Sequence, residues 1–100
     1  MAILTPIHRA FAYFGGTNIQ YDEYYQNGIG LYFEEYVKVV REIADIWSVK
    51  LIDTYRESGL LPVNKENARL YFCNTKTDNL HPNKEGHKII ANTIMEHFNF

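Results

Sequence analysis

The sequence is poor in the residues that usually announce a function. It has one cysteine, Cys73, so no internal disulfide can form. With no activating partner legible nearby, Cys73 reads as a small buried apolar residue. The only serines are Ser48 and Ser58. No apolar run approaches the ~18 residues that crossing a bilayer takes, and no secretory leader is legible after Met1. A formal charge of −2 supplies no basic surface for nucleic acid or an anionic membrane. With 100 residues there is room for one domain and one modest core. What is abundant is aromatic: eight Tyr and six Phe, a surplus that points to an adhesive or carbohydrate-facing surface.

Periodicity divides the chain. Ala2-Ile3-Leu4-Thr5-Pro6 is a short apolar run closed by proline, hence a buried strand ending at Pro6. Residues 7 to 30 hold Gly15-Gly16, Asn27-Gly28 and Gly30 as breakers. They read as a long aromatic loop with at most a helical turn. From Leu31 to Ser48 the pattern becomes helical, with Phe33, Val37, Val40, Ala44 and Trp47 on one stripe and Glu34 placed to support Lys38 one turn on. Val49 to Tyr55 is β-branched and apolar, a second strand. Residues 56 to 82 form a second long connection, with a short helix over Glu66 to Phe72. The last helix runs from Lys84 to Phe98, capped by Asn83, with Ile90, Ile94 and Phe98 on its apolar face widened by Ala91 and Met95. Strand, helix, strand in this order makes a parallel pair with a right-handed crossover, so the fold class is α/β.

The chemistry concentrates in Thr77-Asp78-Asn79-Leu80-His81-Pro82-Asn83-Lys84-Glu85-Gly86-His87. An Asp three residues before a His can share a turn with it. The carboxylate then binds one ring nitrogen, fixes the tautomer, and leaves the other nitrogen as a base. Pro82 stiffens the chain behind the imidazole. The plain structural alternative is a capping turn with a surface histidine.

This block resembles the last conserved block of the SGNH (GDSL-type) serine esterases: Asp-x-x-His-Pro, then a Gly-His pair and an apolar helix. Ile3-Leu4-Thr5-Pro6 and Val49-Lys50-Leu51-Ile52-Asp53 resemble that family's fourth and fifth strands, and Glu42-Ile43-Ala44-Asp45 closes the helix between them. The loops at 7–30 and 56–76 lie outside the resemblance. The resemblance implies a flavodoxin-like three-layer α/β/α sandwich with a parallel sheet. Residues 1–100 would be the C-terminal portion of a single such domain, with only its last two strands and their helices. It implies ester hydrolysis, with Asp78 and His81 as the catalytic acid and base acting on a small ester or an acylated carbohydrate. No cofactor and no metal are implied.

The family's Gly-Asp-Ser nucleophile motif and its Gly and Gly-x-Asn-Asp oxyanion motifs do not occur here. Ser48, at a helix-to-strand junction, and Ser58, in a turn with Gly59, have the wrong context for a nucleophile. The alternative function is therefore a non-catalytic fragment that associates with itself or a partner. A third class, a phosphate-binding flavodoxin-like module, fails because Gly15-Gly16 lies too far past the first strand. His8, after the first strand, reads as an exposed loop histidine, the alternative being a side chain pointing into the cleft where strand C-termini gather; His87 reads as helix packing. A metal set of Asp78, His81 and His87 lacks the convergent shell a hydrolytic zinc needs. The tyrosines of 13 to 25 suit sugar stacking, a packing surface or a subunit contact equally. The family's sheet order implies an open edge on the first strand, since its third strand is absent here, and hence a homo-oligomer or association with a missing N-terminal half.

Overall fold

The computed structural model describes residues 1–15 and 18–98. Gly16 of the first predicted break lies outside them.

Two elements make the parallel part. Strand β1 (Ala2–Leu4) pairs in parallel with β4 (Lys50–Ile52), in the register Ala2↔Lys50, Ile3↔Leu51, Leu4↔Ile52. Helix α1 (Phe33–Ile46) packs on both strands. It begins where the Glu35 carboxylate accepts the Tyr32 N–H at 2.7 Å, half of a capping box. It ends in a Schellman pattern. The Val49 N–H reaches the Ala44 carbonyl at 2.9 Å, the Ser48 N–H reaches that of Asp45, and Ser48 sits at φ +52°. Val37 and Ala44 are buried as the stripe predicts, but Trp47 is 73% exposed. The helix has ended by Trp47, so the 3.6-residue period no longer governs where it points.

The second strand is shorter than expected. Asp53 stops β4 by capping α2 (Thr54–Glu57), its carboxylate accepting the Arg56 N–H, so Thr54 and Tyr55 are helical. The same carboxylate accepts the Thr5 hydroxyl at 2.9 Å and Arg41 Nε at 2.9 Å. The Thr54 hydroxyl donates to the Thr5 carbonyl, and the Tyr55 N–H donates to the Thr5 hydroxyl at 3.0 Å. The C-terminal ends of both parallel strands are thus stitched by one buried polar knot. Burial pushes the Asp53 carboxyl upward, but Arg41 and Thr5 outweigh it and hold the group below its ordinary value.

The structure is α/β, but a second sheet departs from the expected order. Strands β2 (Ala12–Tyr13) and β3 (Ile19–Gln20) form an antiparallel hairpin inside the segment read as a loop. After α3 (Lys65–Tyr71) come β5 (Phe72–Asn74) and β6 (Asp78–Pro82). The sheet order is β3-β2-β6-β5, all antiparallel. The dyad segment read as a turn is therefore an inner strand. Cys73, read as buried, is exposed on β5, next to buried Phe72. Strand residues alternate faces, and Phe72 takes the inner one.

Helix α4 (Lys84–Met95) closes the chain. Its apolar face is shallower than expected: Gly86 and Thr93 are buried, Ile90 and Ile94 half-buried, Ala91, Met95 and Phe98 exposed. His87, read as packing, is exposed as well.

Candidate active site

Strand β6 is held from both sides at its first residue. Asp78 is in register with Ala12 of β2 and Asn74 of β5. Flanking bonds continue the pairing to the aromatic segment: the Tyr13 N–H to the Thr77 carbonyl at 2.8 Å, and the Ala10 N–H to the Asn79 carbonyl at 3.1 Å.

At the other end, Asn83 does more than cap α4. Its Oδ1 accepts the Gly86 N–H at 3.0 Å. Its Nδ2 donates to the carbonyls of Leu70 and Phe72, and its own N–H to that of Tyr71 at 2.8 Å. Gly86 is what lets α4 approach so closely. A Cβ there would strike the Tyr71 carbonyl oxygen and come within 2.8 Å of the Pro82 side chain.

Between these anchors the predicted pair meets. His81 Nδ1 lies 2.9 Å from Asp78 Oδ2. Asp78 Oδ1 accepts the N–H groups of Leu80 and His81, each at 3.0 Å. A carboxylate at Nδ1 places the ring proton there and leaves Nε2 with its lone pair free. Nε2 makes no hydrogen bond among the described residues. Partial burial pushes the Asp78 carboxyl upward. The His81 N–H, the imidazole and the Leu80 N–H outweigh burial and hold it below its ordinary value. The Asp78 side chain is 16% exposed and that of His81 62%, so the acid is sheltered and the base faces outward. The neighbouring strand residues border hollows. Asn79 lines one of about 640 Å³ with Phe11 and Val63, and Leu80 a groove of about 200 Å³ with Pro6, His8 and Phe33.

The remaining candidates separate. His87 is exposed on α4, and no group of three His, Cys, Asp or Glu among the described residues is arranged to hold a metal. Ser48 closes the α1 cap and Ser58 the end of α2, each held in its own helix terminus.

His8 is not the exposed loop histidine that the sequence suggests. It is half-buried, with Nδ1 2.7 and 2.9 Å from the two oxygens of Glu23, and its ring stacks on Tyr55 at 3.6 Å. The Glu23 side chain is only 1% exposed. Burial raises the Tyr24 hydroxyl above its ordinary value, and the Glu23 carboxylate raises it further. Burial pushes the Tyr55 hydroxyl well above its ordinary range, and the Glu23 carboxylate pushes it further. Glu23 also lines a cleft of about 530 Å³ with Tyr24, Tyr32 and Lys38. No sequence signal marks the His8–Glu23 pair, because its members stand 15 residues apart in an irregular segment.

No family model matches the sequence. No curated protein matches it either. Solved structures do. A protein from Lactobacillus plantarum, 24% identical, superposes with a TM-score of 0.75 over 97% of this chain and 44% of its own. A possible lipase from Chitinophaga pinensis, 22% identical, gives 0.71 over 97% of this chain and 51% of its own. A further crystal structure, 28% identical, gives 0.76 over 95% of this chain and 40% of its own. The chain thus spans about half, or less, of the structures it matches, and it shares their fold.

Proposed function

We propose that this chain is the C-terminal portion of a single SGNH-type esterase domain, supplying the acid and base of a Ser-His-Asp mechanism. The observation that carries the reading is the Asp78–His81 pair at 2.9 Å, with Nε2 free. The similarity to a possible lipase over 97% of the chain supports a hydrolase. In this reading His81 Nε2 takes the proton from a serine hydroxyl as that oxygen attacks the ester carbonyl. It then returns the proton to the departing alcohol. Asp78 stays ionised, holds the Nδ1–H tautomer, and stabilises the imidazolium between the two transfers. Water repeats the cycle on the acyl-enzyme. The substrate is a small ester or an acylated carbohydrate. The serine and the oxyanion donors come from a segment outside these 100 residues.

One observation favours the second reading, a non-catalytic associating module. Strand β1 pairs only with β4 among the described residues, and Val39, Ile43, Ile46 and Trp47 are exposed on or just beyond α1. A patch of that kind marks an interaction surface.

The deciding experiment is hydrolysis of p-nitrophenyl acetate. The chain alone is inert. The chain joined to an N-terminal segment carrying a Gly-Asp-Ser motif turns over, and His81→Ala lowers its kcat by at least about a thousandfold. Turnover by the joined form that survives His81→Ala would end the assignment of His81 as the base, and an inert joined form would end the esterase reading. Turnover by the chain alone, with a fluorophosphonate labelling Ser48 or Ser58, would overturn the assignment of the serine to another segment.

A further inference from the structure

A single hydrogen bond leaves an outward-facing imidazole free to swivel about it. The Nδ1 contact to Asp78 fixes one atom of His81 and not the ring plane. A second contact comes from a part of the chain outside the esterase resemblance. The β2–β3 hairpin is bound to β6 by the Ala12–Asp78 pairing and by the Tyr13 N–H at the Thr77 carbonyl. The residue after Tyr13 is Phe14. The hairpin holds it in place: the Phe14 N–H donates to the Asn18 carbonyl at 3.1 Å, and the Asn18 N–H to that of Gly15. The Phe14 ring lies 5.7 Å from the His81 ring, centroid to centroid, inclined at 55°. That distance is within the range of favourable aromatic pairs. Phe14 is 43% exposed, so burial does not explain a large apolar ring at this place.

We propose that Phe14 is a positioning residue for His81. Asp78 fixes the imidazole at Nδ1, and Phe14 restrains the plane of the ring, so that Nε2 keeps one direction. The hairpin transmits the alignment, since it is hydrogen-bonded to the strand that carries the acid. Its Phe14 therefore moves with Asp78. The proposal rests on the reading of His81 as the proton acceptor, but its test needs no turnover.

The experiment uses the ¹⁵N-labelled chain, Phe14→Leu, Phe14→Ala, and Tyr13→Ala as a hairpin control. Long-range ¹H–¹⁵N spectra of the imidazoles report the share of the Nδ1–H tautomer. Carbethoxylation by diethyl pyrocarbonate reports how accessible His81 is, with exposed His87 as the internal reference. An aromatic contact of this kind corresponds to about a two- to tenfold bias in ring placement. Phe14→Leu is expected to lower the Nδ1–H share of His81 and raise its carbethoxylation rate about two- to tenfold, with His87 unchanged. Should Phe14→Ala open the hairpin, seen as loss of Tyr13 amide protection, Phe14→Leu decides alone. His81 spectra and rates unchanged in Phe14→Leu, or changed equally by Tyr13→Ala, would overturn the proposal. An inert joined enzyme with these readouts altered would sink the esterase reading and leave the positioning role standing.

Discussion

The C-terminal block and the aromatic segment between β1 and α1 are built by different means. From Asp78 to Met95 the side-chain pairs that shape the site are local: Asp78 with His81 three residues on, and Asn83 with Gly86 three residues on. Between Ile7 and Tyr32 they are remote. His8 meets Glu23 and Tyr55, and Ala12 meets Asp78. Local contacts cost little chain entropy to close and leave a spacing in the sequence; remote ones leave none. The acid–base pair and the α4 cap can therefore be read from spacing, while the contacts of the second region cannot.

The sharpest way to break this contrast is at Gly86. Helix propensity alone says that Gly86→Ala adds about 1 kcal/mol of stability. Packing says the reverse, because the new Cβ meets backbone at the Tyr71 carbonyl rather than a side chain that can move. Overpacking of this kind costs about 1–3 kcal/mol, and the rigid obstacle puts it at the upper end. The expected net is a loss of about 2 kcal/mol in urea unfolding. A stabilised variant would mean that α4 does not rest on α3 as closely as described.

A smaller effect is expected from Glu23→Ala. It removes the carboxylate that holds His8 Nδ1 at 2.7 Å. Leaving a buried donor unsatisfied costs about 1–3 kcal/mol; His8 is half-buried, and part is recovered because the segment can loosen and admit water. We expect about 1–2 kcal/mol, with hydrogen exchange quickened over residues 18 to 25 and unchanged in α4. Equal acceleration in both regions would erase the distinction between them.

The smallest effect is a gain. Ser48 holds a left-handed φ of +52° at the α1 terminus, where glycine is the unstrained residue. Ser48→Gly should raise stability by about 0.5 kcal/mol, the relief of strain being partly offset by the freer unfolded chain. A loss on thermal unfolding would show that the serine side chain contributes more than its backbone costs.

These contrasts explain what was legible. Helix α1, the Asn83 cap and the Asp78–His81 spacing follow from periodicity and capping within a few residues. The β2–β3 hairpin leaves little trace in the sequence, because its strands have two residues each and its partner is remote, Ala12 pairing with Asp78. Its one local signal is the run Phe11-Ala12-Tyr13-Phe14, β-prone residues ahead of Gly15, with Ile19-Gln20 returning after Asn18. Trp47 falls on the apolar stripe only if the helical period is carried past the end of α1. Residue type favours a buried Cys73, but strand alternation turns it outward. At the site, spacing located the acid and base but not Phe14, whose contact with His81 exists only through the hairpin.

The single tryptophan stands at the end of α1, mostly in water. Its light emission therefore says little about whether the core is folded, because the indole is solvated in both states. What would change it is another surface settling on α1. The chain thus carries a built-in optical reporter of contact rather than of folding: a shift of emission to shorter wavelength registers the arrival of a neighbour on the one helix that closes the parallel strands.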